Sequence, residues 1–180
     1  FIKNKILTPK YLIYFFDISK SKLIRLIEKK LKFPVVIKPL NEGSSVNVFI
    51  CNKSNISQAL RKLNDYGEVL LEKYIPGREI QVAILADKIL GAIELIPTRK
   101  FYDYEAKYNP RAKTEHIIPV KISKKKYQEV TKIALKAHKI LNCRGVTRSD
   151  FRYYKNSFYL LETNTQPGMT SLSLVPEIAK

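Results

Sequence analysis

Cysteine and histidine are scarce in this chain. Two cysteines, Cys51 and Cys143, occur among its 180 residues, far apart and without CxxC spacing. Two histidines, His116 and His138, are available to join them. These few side chains argue against a disulfide framework and against a zinc site.

Long apolar runs are also missing. No uncharged apolar stretch reaches the roughly 18 residues that a transmembrane helix needs, and no charged-then-apolar signal segment opens the sequence. We therefore expect a soluble cytoplasmic protein without a membrane partner. The first residue is Phe1 rather than methionine, which leaves open that the sequence is a fragment of a longer protein.

Basic residues far outnumber acidic ones. The chain has 33 Lys and Arg against 16 Asp and Glu, a formal net charge of +17. This excess favours an anionic partner such as a nucleotide, a nucleic acid or a membrane surface. Charge alone does not choose among them, and most of the lysines are scattered in a way that is typical of solvated helix surfaces.

The order of elements predicts a mixed α and β architecture. A hydrophobic content of 45% is sufficient for a core in one large or two small domains. Ser19, Ser54 and Ser123 each precede an amphipathic stretch and are predicted helix N-caps. The predicted helices follow Ser19 up to Pro34 and span 54–65 and 124–141, and the predicted strands are 35–37, 46–50, 69–71, 80–85, 89–96, 145–153 and 157–162.

The pairing of these strands is expected to be largely antiparallel, because hairpin turns join 80–85 to 89–96 and 145–153 to 157–162. Residues 97–114 show no sustained periodicity and contain two prolines and several aromatic residues. They are predicted to form a long ordered loop of the kind that often serves as a lid.

The second of these hairpins carries the most informative group of side chains. Arg148 and Asp150 lie on one face of a strand, and Glu162 and Asn164 lie on one face of its partner, because side chains alternate along a strand. Two carboxylates and an amide oxygen suit a hard cation such as Mg²⁺. A cross-strand arginine among surface acids is the plain structural alternative. The turn at 165–168 favours a ligand, since its glycine permits close backbone approach.

Two further segments suit nucleotide binding. Lys38 is followed by a polar loop at 42–45 whose amides and hydroxyls could cradle phosphate oxygens, although for the loop taken alone an ordinary β-turn is the preferred interpretation. Neither the P-loop pattern nor GxGxxG occurs, so neither of those nucleotide folds is predicted. Residues 72–75 and Glu79 offer backbone groups, an apolar side chain and a carboxylate for adenine and ribose, or else form an ordinary strand end.

Together these segments resemble the D-alanine:D-alanine ligase family of the ATP-grasp superfamily. The resemblance covers nearly the whole chain, and residues 101–108, FYDYEAKY, are its most diagnostic stretch. The other matching segments are 33–39, 42–46, 72–73, 160–165 and 167–170.

The resemblance implies an α+β fold of two subdomains whose mainly antiparallel sheets sandwich the nucleotide. Residues 1–75 would form the central subdomain, and residues 76–180 would form the C-terminal catalytic subdomain, truncated at its end. The implied reaction joins two D-alanines into D-alanyl-D-alanine for peptidoglycan synthesis. ATP phosphorylates the carboxylate of one D-alanine, and the amine of the second attacks the acyl phosphate.

The resemblance also implies roles for individual residues. Two Mg²⁺ ions, for which Mn²⁺ could substitute, would be held by Asp150, Glu162 and Asn164. Arg148 and the Gly168 amide would stabilise the tetrahedral intermediate. The residues that would hold ATP are Lys38, Glu72, Lys73, Ile75, Glu79, Phe101, Lys107 and Leu161. Ser44 and Tyr108 would form a hydrogen-bonded link between the loop at 42–45 and the lid at 97–114. The pocket for the second D-alanine would use Ser173 and Leu174.

Some positions depart from the family pattern. Thr163 and Gln166 replace the usual small or Ser/Asn residues, and Asn47 replaces a usual glycine. Tyr108, where the depsipeptide-forming relatives carry Phe, favours D-alanine as the acceptor. The family's N-terminal domain, which shares the first D-alanine site, would precede Phe1. We therefore expect little or no ligase activity from these 180 residues alone, and dipeptide synthesis near the rate of intact ligases would contradict this expectation.

Other functions stay open at this point. One is a different ATP-grasp carboxylate–amine ligase, and another is a degenerate nucleotide-binding module without turnover. A nucleic-acid partner is not expected, because the lid accounts better for the aromatic residues that such binding would need. For the intact family member the resemblance implies a homodimer.

Overall fold

The computed structural model describes residues 1–43, 45–97 and 114–180. Within these ranges the chain divides into two compact units. The smaller unit is Pro9–Tyr74, and the larger unit combines Phe1–Thr8 with 75–97 and Thr114–Lys180. Each unit has its own sheet and its own apolar core.

The smaller unit is a four-stranded antiparallel sheet with two helices. Both helices contribute buried leucine and isoleucine side chains to one core with the strands, and this burial stabilises their amphipathic sequences as helices. The elements are β1 (Tyr11–Phe15), α1 (Lys20–Lys30), β2 (Val35–Pro39), β3 (Phe49–Cys51), α2 (Ile56–Leu63) and β4 (Glu68–Lys73), and the strand order is β1-β4-β2-β3.

The larger unit has a five-stranded antiparallel sheet and one long helix. Small residues of that helix, Ala134 and Ala137, are fully buried in a core with Val82 and Phe151 of the sheet. The elements are β5 (Arg78–Leu85), β6 (Lys88–Ile96), β7 (Glu115–Ile117), α3 (Lys124–Ile140), β8 (Val146–Tyr154), β9 (Ser157–Asn164) and α4 (Leu174–Ile178), and the strand order is β7-β6-β5-β8-β9.

The predicted fold class, α+β with mainly antiparallel sheets, is confirmed. Both outer N-caps are confirmed as well, because the Ser19 hydroxyl accepts from the amide of Lys22 at 3.4 Å and the Ser123 hydroxyl accepts from the amide of Lys126 at 3.3 Å. None of the helices in the described part of the chain has the length and apolar character needed to cross a membrane.

Some predicted boundaries were wrong. The strand predicted at 46–50 begins only at Phe49, because Ser45 and Asn47 have φ angles of 60° and 54°, in the left-handed region that extended strands exclude. Ser54 is not the cap of α2, which begins at Ile56 after Asn55. The strands β1 and β7 and the short helix α4 were not predicted.

The first eight residues differ from the sequence-based division, which assigned 1–75 to one subdomain. Phe1–Thr8 belongs to the larger unit. Ile6 is buried in the core of that unit, and the carbonyl of Leu7 accepts from the amide of Leu160 at 2.9 Å. These contacts are distant in sequence, so no local pattern in the first eight residues indicates them.

Candidate active site

One face of the five-stranded sheet carries a row of buried polar side chains. The other face packs its alternating apolar residues in the core with α3. Glu79, Gln81, Asp150 and Arg152 are each at least about nine-tenths buried. Burying charged and amide groups is unfavourable unless they are paired, so this polar face is the candidate functional site of the larger unit.

A β-bulge sets the register of these groups across β8 and β9. Asp150 lies opposite Glu162, and Arg148 lies opposite Asn164. The register shifts by one residue directly after Asp150, so Leu161 is the extra residue on β9. Without that residue the alternation would turn Glu162 and Asn164 to the opposite face of the sheet.

Arg148 and Asp150 form a two-pronged ion pair on this face. Nε donates to Oδ1 at 2.8 Å, and Nη2 donates to Oδ2 at 3.0 Å. The arginine and aspartate side chains are only 14% and 8% exposed. Charge-assisted pairs with this fork geometry are strong and orient both groups, so Asp150 keeps the guanidinium of Arg148 in a fixed position.

The donor set in this row fits a hard divalent cation. Asp150 and Glu162 supply carboxylates, and each carboxylate has about four lone-pair sites, so the ion pair with Arg148 leaves part of Asp150 available. The side-chain oxygen Oδ1 of Asn164 accepts a hydrogen bond from the backbone amide of Gln166 at 3.0 Å, which fixes the orientation of the Asn164 side chain. No group of three or more His, Cys, Asp and Glu suited to a metal exists among the described residues, so phosphate oxygens and water would have to complete an octahedral shell.

A second buried ion pair lies two residues further along β8 and joins that strand to β5. Arg152 Nη2 lies 3.1 Å from Glu79 Oε2, and Arg152 Nη1 donates to the carbonyl of Gly77 at 3.1 Å. Glu79 was predicted to contact ribose, but its partner Arg152 was not identified from the sequence. Only the register, in which Arg152 faces Glu79 across β5 and β8, reveals the pair.

Gln81 was also missed by sequence reasoning. Its side chain is 1% exposed, and its Oε1 atom has no hydrogen-bond partner among the described residues. Leaving a buried acceptor unpaired costs about 1–3 kcal/mol. The available signal was its position two residues after Glu79, which places both side chains on one face of β5.

In the smaller unit, Lys38 and Glu72 form an ion pair of 2.8 Å. Both residues alternate with core residues of β2 and β4, so they lie on the face opposite the core. A lysine ammonium on this face suits a phosphate group, and the carboxylate orients it.

Lys73 follows Glu72 and therefore points to the opposite face of β4. Its ammonium donates to the carbonyl oxygens of Lys32, Phe33 and Pro34 at 3.0, 3.3 and 3.4 Å. Burial and the nearby Lys32 lower the pKa of Lys73. The structure thus shows Lys73 supporting the entry to β2, while the predicted contact with ATP stays a prediction.

The turn after β9 brings two further predicted residues together. The Ser173 hydroxyl accepts from the amide of Thr170 at 3.0 Å and lies 2.9 Å from the Thr170 hydroxyl. A Cβ atom built on Gly168 would lie 2.8 Å from that Ser173 hydroxyl. Any larger residue at 168 would therefore force the Ser173 hydroxyl out of its position beside Thr170. Leu174, the next predicted pocket residue, is buried at the start of α4.

The remaining predicted residues have different outcomes. Ile75 is largely buried directly after β4, and Leu161 is half-buried at the bulge. Both stay predictions as adenine contacts. The other predicted site residues lie outside the described residues, and they are Ser44, Phe101, Lys107 and Tyr108.

Comparison with known proteins shows which family this chain resembles. The family model described as D-ala D-ala ligase C-terminus matches residues 13–180. The D-alanine--D-alanine ligase of Pelagibacter ubique (strain HTCC1062) is 65% identical over 180 residues, which are 100% of this chain and 59% of that protein. The chain thus spans little more than half the length of the curated relatives that it matches.

Solved structures are similar over almost the whole chain. The D-alanine--D-alanine ligase of Bacillus anthracis superposes with a TM-score of 0.82 at 34% identity, covering 99% of this chain and 58% of that one. The structure of the same ligase complexed with ATP gives a TM-score of 0.78 at 28% identity, covering 99% and 56%.

Proposed function

Since this chain belongs to the D-ala D-ala ligase C-terminus family, we propose that it is the ATP-binding catalytic part of an enzyme that joins two D-alanines. The fold is that of the ATP-grasp ligases. The observation that carries the proposal is the register of β8 and β9, which sets Arg148 and Asp150 opposite Asn164 and Glu162 on one polar face.

Residues whose chemistry suits parts of ATP occur in both units, each considered by itself. In the smaller unit, Lys38 beside Glu72 supplies a fixed positive charge for phosphate oxygens. In the larger unit, Glu79 held by Arg152 supplies an oriented carboxylate for the ribose hydroxyls. Ile75 and Leu161 supply apolar surface for the adenine.

Asp150, Glu162 and Asn164 would hold Mg²⁺. When bound, that ion neutralises phosphate charge during phosphoryl transfer. Other divalent ions with oxygen preference, such as Mn²⁺, fit the same donor set.

The reaction that this site suits proceeds in two steps. The carboxylate of the first D-alanine attacks the γ-phosphorus of ATP, which releases ADP and leaves an acyl phosphate. The amine of the second D-alanine then attacks the acyl carbon, and the tetrahedral intermediate expels phosphate and loses a proton from nitrogen. Arg148, oriented by Asp150, and the Gly168 amide donate to the developing oxyanion. The product dipeptide is a peptidoglycan precursor.

Metal-dependent ATP binding tests the proposal directly. Calorimetry of the chain with ATP is expected to show binding that Mg²⁺ strengthens. Glu162→Gln removes one ligand charge at an exposed position, so it should weaken Mg²⁺-ATP binding about tenfold or more and leave metal-free binding unchanged. Glu129→Gln, a charge change on α3, is the matched control. An ATP affinity that changes neither with Mg²⁺ nor with the Glu162 substitution would contradict the proposal.

The acceptor is tested separately. Phosphate release should be highest with D-alanine among a panel of amino acids, assayed with the full-length product of the gene that encodes this sequence. A preference for another amine would instead identify a different carboxylate–amine ligase. ATP binding without turnover in the intact protein would indicate a nucleotide-binding module.

A further inference from the structure

The buried amide oxygen of Gln81 needs a hydrogen-bond donor that the described residues do not supply. The side chain is 1% exposed, and Oε1 has no partner in the described part of the chain. Native proteins pair nearly all such atoms, and an exception points to a ligand, an ion or an ordered water molecule.

Gln81 lies in line with the two carboxylates of the candidate metal site. It faces Asp150 across β5 and β8, and Asp150 faces Glu162 across β8 and β9. Side chains directly opposite one another in antiparallel strands lie on the same face with Cβ atoms about 4.5–5.5 Å apart. The side chain of Gln81 is therefore a direct neighbour of the side chain of Asp150 on this face.

The donors nearest in register are directed elsewhere. Arg148 directs Nε and Nη2 to Asp150. Arg152 directs its two terminal nitrogens to Glu79 and to the carbonyl of Gly77. On the remaining side Gln81 faces Ile93, which has no polar group in its side chain. None of these register neighbours donates to Gln81 Oε1, so we look for its donor in what binds at this face.

We propose that Gln81 Oε1 accepts a hydrogen bond from a water molecule coordinated to the cation held by Asp150 and Glu162. This inference rests on the proposed function. Mg²⁺ usually keeps several of its water molecules. β5 and β9 flank β8, so Gln81 is separated from Glu162 by two strand spacings of about 4.8 Å each. That separation suits contact with the cation through water better than direct coordination from β5. Gln81 is thus a positioning residue that orients the hydrated cation.

The test is Gln81→Leu, which keeps the approximate shape and removes the amide. Calorimetry with ATP should show about tenfold weaker binding in Mg²⁺ and unchanged binding in EDTA. The melting temperature of the ligand-free chain should stay equal or rise, because the substitution removes an unpaired buried acceptor. Gln128→Leu, at an exposed position of α3, is the matched control, and Gln81→Met serves if the leucine variant does not fold.

Three results would overturn the inference. A lower melting temperature of the ligand-free chain for both Gln81 variants would show a structural role. A loss that is equal with and without Mg²⁺, and is absent when 2′-deoxy-ATP replaces ATP, would show that Gln81 pairs with ribose. Unchanged Mg²⁺-ATP binding by the variants would reject the inference while the proposed function stands, whereas absence of Mg²⁺-ATP binding by the unsubstituted chain would reject both.

Discussion

The two cysteines show how burial decides the chemistry of a single side chain. Cys51 is 1% exposed in the core of the smaller unit, and this burial raises the pKa of its thiol to about 11. Cys143 is partly exposed in the larger unit. Only the thiolate reacts readily, so the two residues should behave very differently.

Thiol labelling with a disulfide reagent at about pH 8 should therefore modify Cys143 rapidly and Cys51 only on unfolding. The thiolate fraction of Cys51 is roughly one in a thousand at that pH. Cys143→Ser should abolish the fast phase, and Cys51→Ser should leave it unchanged. Two fast phases in the folded protein would contradict this prediction.

A second residue-scale prediction concerns Gly168. Its replacement by alanine would place Cβ 2.8 Å from the Ser173 hydroxyl, so Gly168→Ala should destabilise the chain by about 1–3 kcal/mol, the usual range for overpacking. In a Ser173→Ala background the cost should fall, because the opposing oxygen is gone. Urea unfolding of the unsubstituted chain, the two single variants and the double variant gives the coupling energy between positions 168 and 173. Strictly additive effects would show that Gly168 and Ser173 are not in contact.

At the scale of elements, the start of α3 is strongly basic, as is the start of α1. The first turn of α3 contains no acidic residue and starts with three lysines at 124–126. Cations at a helix N-terminus are unfavourable because of the helix dipole. The Ser123 cap therefore stabilises a helix start that no acidic residue of the first turn supports.

Ser123→Ala should lower the free energy of unfolding by about 1 kcal/mol. Ser123→Asp should restore or exceed the original stability, since aspartate caps the helix and also offsets the lysines. Chemical denaturation measures both. Ser19→Ala on α1 is the comparison, and an aspartate variant that is no better than the alanine variant would argue against the dipole contribution.

At the scale of the whole molecule, the net charge of +17 means that most charged residues are repelled by other positive charges in the chain. Repulsion between like charges destabilises a compact chain, and dissolved salt screens it. The positive excess also attracts anions of many kinds, so weak polyanion binding that vanishes with salt is expected and carries no functional meaning.

Raising KCl from about 20 to 300 mM should therefore raise the melting temperature. Neutralising exposed basic residues of α1 and α3 together, as Lys22→Gln, Arg25→Gln and Lys132→Gln, should raise the melting temperature at low salt and reduce its salt dependence. Glutamine has a helix propensity similar to that of lysine and arginine. If the triple variant showed the same salt dependence of the melting temperature as the unsubstituted chain, repulsion among these helix residues would not contribute measurably to stability.

The sequence by itself determined most helices and strands, the two outer N-caps and the family resemblance. These features depend on residues a few positions apart, through alternation along a strand, helical spacing and the reach of a capping hydroxyl. The co-facial pairs Arg148 with Asp150 and Glu162 with Asn164 belong to this local class.

Only the tertiary structure decided which strand faces lie next to one another. The bulge at Leu161 aligns Glu162 with Asp150, and the pairing of β5 with β8 gives Glu79 its partner Arg152 and leaves the oxygen of Gln81 buried and unpaired. Strand register and burial arise from contacts between segments far apart in the chain, and a shift of one residue reverses the face of every side chain that follows.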